Sequence, residues 1–127
     1  MARRTVQDVA SKIDHAVLKP DLTEADVREH AAFCREARVA SMCVRPCDTA
    51  LAAGLLADSG VAVSCVLSFP HGADTTATKV FQAEQAIADG VHEIDMVMNI
   101  GQFLSGQFDR VRAEIRARSE EHTSELQ

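Results

Sequence analysis

The chain has 127 residues, 13 basic against 19 acidic side chains and a formal charge of −6, which argues against phosphodiester binding as its main role. Hydrophobic residues make up 46% and charged ones 25%, the usage of a globular domain. Aromatics are only 4%, with no Trp or Tyr, so there is no base-stacking platform for single-stranded nucleic acid.

The elements come as alternating strands and helices. Residues 13–18 form a candidate first strand, and Thr23 opens a helix to about residue 38, with Asp26 three positions on as the partner of a capping box. A second strand is predicted over residues 39–44. Pro46 sits in the first turn of the next helix, which Gly60 closes. Residues 61–67 give a third strand, 75–89 a helix ended by Gly90, and 91–97 a fourth strand. A last helix is expected from about Ser105 through Ile115 to Arg118.

Val39, Val61 and Val91 each follow a helix end, and Cys43, Cys65 and Asp95 each stand four residues later, which predicts one shared register. Strand starts 22 and then 30 residues apart exclude hairpins and imply a parallel sheet. Neither G-x-G-x-x-G nor G-x-x-x-x-G-K-[ST] occurs, so the fold class is α/β, four βα units of a parallel (β/α)8 TIM barrel, a half barrel, rather than an open nucleotide-binding sheet. The longest apolar stretch, residues 61–69, falls short of the roughly 20 residues of a membrane span. The basic start has no apolar run behind it and does not read as a secretory signal, so a cytoplasmic location with reduced thiols at Cys34, Cys43, Cys47 and Cys65 is expected.

Barrel chemistry sits at the carboxyl ends of strands, where Asp14, Cys43, Ser68, Asp95 and Asn99 qualify. Asp95 stands out, because a carboxylate between Ile94 and Met96 on a strand covered on both faces is expensive to desolvate. It is either a proton-transfer or lysine-orienting group in the barrel mouth, or an Asp satisfied by backbone amides or an Arg. The doublet Asp14-His15 should point one member into the barrel. Core packing is the plainer role for Cys43, and turn formation for the loop from Phe69 to Thr76, although His71 and Asn99 could border a substrate. Cys43 and Cys47 are separated by three residues rather than two, with no matching Cys/His pair, so no metal site is expected. Of the three lysines, Lys12 precedes a strand, Lys19 sits in a turn before Pro20, and Lys79 lies in a helix; all three read as solvated, and none as an imine former.

Four segments carry a family resemblance: residues 13–20 (Ile-Asp-His-Ala-Val-Leu-Lys-Pro), 41–46 (Ser-Met-Cys-Val-Arg-Pro), 67–72 (Leu-Ser-Phe-Pro-His-Gly) with Thr75, Thr76 and Lys79, and 93–101 (Glu-Ile-Asp-Met-Val-Met-Asn-Ile-Gly). In order and spacing, from about residue 9 to 115, the chain resembles deoxyribose-phosphate aldolase. That resemblance implies a class I, cofactor-free and metal-free enzyme that cleaves 2-deoxyribose 5-phosphate to glyceraldehyde 3-phosphate and acetaldehyde through a Schiff base. It implies that Asp95 assists proton transfer and that Asp14 supports a second active-site lysine, with Cys43 and Asn99 as substrate-binding candidates. The imine-forming lysine and the phosphate-binding loops of the family lie later than this chain reaches. Ala16 departs from the Thr usual there and puts one polar contact near substrate in doubt.

Residues 118–127 abandon the apolar rhythm and read as a non-native, adapter-derived tail, leaving residues 1–117 as the amino-terminal half of an aldolase domain that is inactive alone. The expected partner is a small sugar phosphate, with neither nucleic acid nor membrane, and a homodimer is in prospect. The competing reading is a non-catalytic half barrel that self-associates or binds a partner; another lysine-dependent barrel aldolase for a related sugar phosphate is the third.

Overall fold

A computed structural model of the chain describes residues 3–120. In chain order it contains α1 (Val6–Ala10), β1 (Asp14–Val17), α2 (Glu24–Ala37), β2 (Ser41–Val44), a 3-10 turn (Pro46–Asp48), α3 (Thr49–Leu56), β3 (Ala62–Leu67), α4 (Thr76–Ala88), β4 (Glu93–Met96), α5 (Ile100–Leu104) and α6 (Phe108–Glu120). The four strands form one sheet in the order β1-β2-β3-β4, every neighbour parallel. This is half the strand count of a (β/α)8 barrel, in the sequential order such a barrel requires.

Local chemistry accounts for most element ends. Thr23 and Asp26 close the expected capping box on α2: the Thr hydroxyl accepts from Asp26 N, and the Asp carboxylate accepts from Thr23 N at 2.7 Å. Thr75 caps α4 by accepting from Thr78 N. Pro46 opens the single 3-10 turn that leads into α3.

Three boundaries differ from the sequence reading. Helix α3 ends at Leu56, and Gly60, at φ 77°, belongs to the following turn rather than to the helix end. The expected helix from about Ser105 begins three residues later as α6, and it is preceded by a short helix absent from the sequence reading, α5, which Asn99 caps and Gly106 at φ 72° separates from α6. Helix α1 has no counterpart in the sequence reading, although Thr5 and Asp8 form the same capping box as Thr23 and Asp26. Of residues 118–127, the first three continue α6; residues 121–127 lie outside the described part.

The two buried clusters lie on one side of the sheet. Val17, Met42, Val44 and Val63 meet Val27, Ala31 and Cys34 of α2 and Ala52 and Leu56 of α3 in one cluster; Cys65 and Leu67 meet Ala83 and Ala86 of α4 in a second. Each such aliphatic side chain contributes about 1.5–3 kcal/mol on burial, so this outer face drives assembly. On the opposite face the described residues form no buried cluster; Asp95 is exposed there, in a cavity to which α6 contributes Ile115. Asp95 is therefore not desolvated as its sequence reading supposes.

Register sets which residues share that open face. Ala16 pairs with Cys43, Cys43 with Ser64, Ser64 with Glu93, and Val66 with Asp95. Cys43, Cys65 and Asp95 are thus not equivalent positions. Cys65 stands one residue off and points to the outer face, into the cluster beneath α4. Side chains alternate with a period of two, so a slip of one residue reverses the face.

Candidate functional site

On the open face the register brings Asp14 and Ala16 of β1, Ser41 and Cys43 of β2, Ser64 and Val66 of β3, and Asp95 of β4 to one side. The ligating atoms of Asp14, Cys43 and Asp95 all lie within 4.8 Å of one another. They line an open cavity of about 590 Å³, together with Leu18, Val66 and Phe69. Residues 14, 43 and 95 are far apart in sequence, and only parallel packing of successive βα units can bring them to one spot.

Buried donors orient exposed acceptors here. Ser41 Oγ donates to Asp14 Oδ1 at 2.6 Å, and Ser64 Oγ donates to Asp95 Oδ2 at 3.0 Å. Both serines are buried, while both carboxylates remain exposed. A carboxylate left in water loses little solvation, so Asp95 is tolerated because its face is open and one of its oxygens is fixed by a hydroxyl. Cys43 Sγ, 3% exposed, also donates to Asp95 Oδ2, at 3.6 Å. Burial pushes the Cys43 thiol up to about 12; Ser64 opposes this and the nearby Asp14 and Asp95 charges add to it. Cys43 therefore stays protonated near neutral pH and serves as a hydrogen-bond donor rather than a nucleophile. A metal ion held by these three residues would first have to displace that proton.

The remaining candidates divide. Asp14 opens β1 rather than ending it, yet its side chain is on the site. His15 points to the other face, with Nε2 2.9 Å from His30 Nδ1 and its ring 5.3 Å from that of Phe33, so the Asp14-His15 doublet is split between the two faces. Asn99 does not line the cavity; its side-chain oxygen accepts from Gln102 N at 3.0 Å and caps α5. His71 is exposed. Ser68 Oγ accepts from Asp74 N at 3.3 Å and shapes its own loop. Lys12 and Lys19 are exposed, as expected.

Lys79 overturns its reading as a solvated helix residue: it is 1% exposed, with Nζ 2.7 Å from Glu114 Oε1 and 2.9 Å from the Val97 carbonyl oxygen. Its amine is held by a carboxylate and a backbone carbonyl instead of by solvent. The sequence reading also missed Ser41 and Ser64 as the groups that set both carboxylates. Polar residues in otherwise apolar strands were the available signal.

Comparison with known proteins agrees with this geometry. No protein-family model matches the chain. It is 46% identical over 115 residues to a deoxyribose-phosphate aldolase of Rhodopirellula baltica, an alignment covering 91% of this chain and 48% of that protein. Among solved structures, an aldolase designated QR15 superposes with a TM-score of 0.87 at 36% identity, over 92% of this chain and 52% of its own. A tetrameric deoxyribose-phosphate aldolase of Aeropyrum pernix superposes with a TM-score of 0.73 at 26% identity, over 87% of this chain and 50% of its own. The chain spans about half the length of the curated relatives it matches. In sequence and in fold alike, the chain corresponds to about half of a deoxyribose-phosphate aldolase.

Proposed function

We propose that the chain is the acid–base half of a class I deoxyribose-phosphate aldolase, a lyase that cleaves 2-deoxyribose 5-phosphate to glyceraldehyde 3-phosphate and acetaldehyde. The observation that carries this reading is the convergence of Asp14, Cys43 and Asp95 within 4.8 Å on the open face of a parallel half barrel. Asp95 is the proton carrier, since its exposed carboxylate is reachable by substrate or water while Ser64 and Cys43 hold one oxygen in place. Asp14, fixed by Ser41, supports a lysine supplied by later sequence. Cys43 presents a neutral S–H beside the bound sugar, and Asn99 reaches substrate only if it gives up its capping bond to Gln102.

The electron sink is an iminium on a lysine outside this chain, because the amine of Lys79 is locked to Glu114 and Lys12 and Lys19 lie away from the cavity. The reaction belongs to deoxyribonucleotide breakdown in the cytoplasm and requires no metal or cofactor. The partner is a sugar phosphate.

The test is a chimaera joining residues 1–117 to the carboxyl-terminal half of a relative. It should cleave 2-deoxyribose 5-phosphate, with Asp95→Asn lowering kcat about 10²–10⁴-fold, the usual worth of a proton-transfer group. Borohydride reduction in the presence of acetaldehyde should trap an adduct on the chimaera and none on the 127-residue chain. A stable adduct at Lys12, Lys19 or Lys79 overturns the proposal.

A further inference from the structure

Helix α4 turns one stripe of side chains inward, Lys79, Ala83 and Ala86. The alanines meet Cys65 and Leu67 in the second buried cluster, whereas Lys79 places a buried cation on the same stripe. That cation is costly twice over. It is stripped of water, and it stands in the first turn of α4, at the helix end whose dipole repels positive charge. Glu114 Oε1, 2.7 Å away, offsets the charge, yet an apolar pair of similar volume often fills such a seam with no loss of stability. What an apolar pair lacks is a donor.

That donor meets the exit of β4. Lys79 Nζ donates to the carbonyl oxygen of Val97, the residue directly past the strand, at 2.9 Å. The N–H of the same residue donates to the Leu67 carbonyl oxygen at 3.1 Å. Both peptide groups of Val97 are therefore fixed, one by β3 and one by α4, two residues beyond Asp95. Gln82, three residues after Lys79 and on the same side of α4, accepts from Ser68 N at 3.0 Å, directly past β3. One helix face thus holds the exits of the two strands that carry Ser64 and Asp95. Ser64 and Cys43 both donate to Asp95 Oδ2, so the aim of Oδ1 depends on where the backbone of β4 is held.

We propose that Lys79 is a positioning residue for Asp95: neutralised by Glu114, its ammonium holds the Val97 carbonyl and so sets where β4 delivers the carboxylate. This deepens the reading of Asp95 as the proton carrier and rests on it. A reacting group misplaced by about 1 Å can cost on the order of 10²-fold in rate, so a clamp two residues away is within reach of kcat. Lys79 does not line the cavity, so its loss should leave substrate binding largely as it was.

The chimaera of residues 1–117 with a relative's carboxyl-terminal half provides the test. Lys79→Met, Glu114→Leu removes the donor and keeps the seam filled, so its urea midpoint should stay near the parent's. Its kcat for 2-deoxyribose 5-phosphate should fall about 10–100-fold while KM moves by less than about twofold. Hydrogen exchange at the Val97 amide should quicken, and that at Ser68, held by Gln82, should not. Val27→Ala opens a cavity in the cluster beneath α2; it should lower the midpoint and leave kcat and the Val97 amide unchanged. Parental kcat in the double variant, an unchanged Val97 amide, loss of its fold, or an equal fall of kcat in Val27→Ala each overturns the inference. One arm needs no variant: in the parent chimaera the Val97 amide should exchange as slowly as those of β3, and fast exchange there overturns the clamp. Asp95→Asn separates the two levels. Parental kcat in that variant overturns the proton-carrier reading and this inference with it, whereas a slow Asp95→Asn beside a fast double variant overturns the positioning role alone.

Discussion

Replacing Lys79 by methionine removes one half of the ion pair that joins α4 to α6. Lys79 and Glu114 are 1% and 3% exposed and 2.7 Å apart, and the same ammonium donates to the Val97 carbonyl oxygen at 2.9 Å. The other polar contact of the Glu114 carboxylate is a long one, 3.5 Å from Thr76 Oγ1, so the Lys79→Met variant would strand a carboxylate in an apolar seam. Breaking a buried pair from one side costs about 3–5 kcal/mol, whereas replacing both partners by apolar groups of similar volume is often close to neutral. Urea denaturation followed by circular dichroism should therefore show a midpoint lowered by about 1.5–2.5 M for Lys79→Met, using a slope of about 2 kcal/mol/M. The double variant Lys79→Met, Glu114→Leu should recover most of that loss. A loss under about 1 kcal/mol, or a double variant as unstable as the single one, would refute the claim that the pair is a dry, mutually dependent unit.

Gly72 sits at φ 67°, and a Cβ there would collide with the Met98 carbonyl oxygen, so Gly72→Ala should destabilise the fold by about 2 kcal/mol or more and visibly lower the thermal midpoint, against a small effect for Gly54→Ala, where nothing stands within 4 Å. Burial, reinforced by His30 and partly opposed by Asp14, holds the His15 imidazole below its ordinary range. The unfolded chain therefore binds this proton more readily, so stability should fall as pH drops below about 6.5, and His15→Gln should flatten the slope measured between pH 7.5 and 5.5; identical slopes would argue against the assignment. Iodoacetamide at pH 8 should label exposed Cys47 first, leaving Cys43 and Cys34 slow, since burial raises their thiols to about 12 and about 11. Mass spectrometry of the first modified peptide decides this.

The parts of the fold legible from sequence are those written in short range. Thr23 and Asp26, three residues apart, mark the start of α2, and the apolar runs flanked by helical spacing mark four strands whose separation excludes hairpins. What escapes depends on contacts across the chain. Lys79 reads as solvated until Glu114, 35 residues on, folds back over it. Cys65 stands four residues after the valine that leads its strand, as Cys43 and Asp95 do in theirs, yet a one-residue offset in pairing, invisible along a single strand, sends it to the opposite face. Asp95 stands out against its apolar neighbours and does lie beside Asp14 and Cys43, but the reason it is tolerated is an uncovered face rather than a costly burial. Asn99 looks free to face the mouth because its capping bond to Gln102 becomes visible only once α5 is known to start there.

The chain just past Asp95 is hemmed in from three directions: Val97 N donates to the Leu67 carbonyl, Lys79 holds the Val97 carbonyl, and Gly72 leaves no room for a side chain beside that of Met98. For protein engineering, this ranks the loops. Grafted peptides or altered lengths between residues 68 and 75 will disturb the exit of β4 and with it the aim of residue 95. The turn around Gly60 has open space where a side chain would go, and is the better place for an inserted tag or reporter.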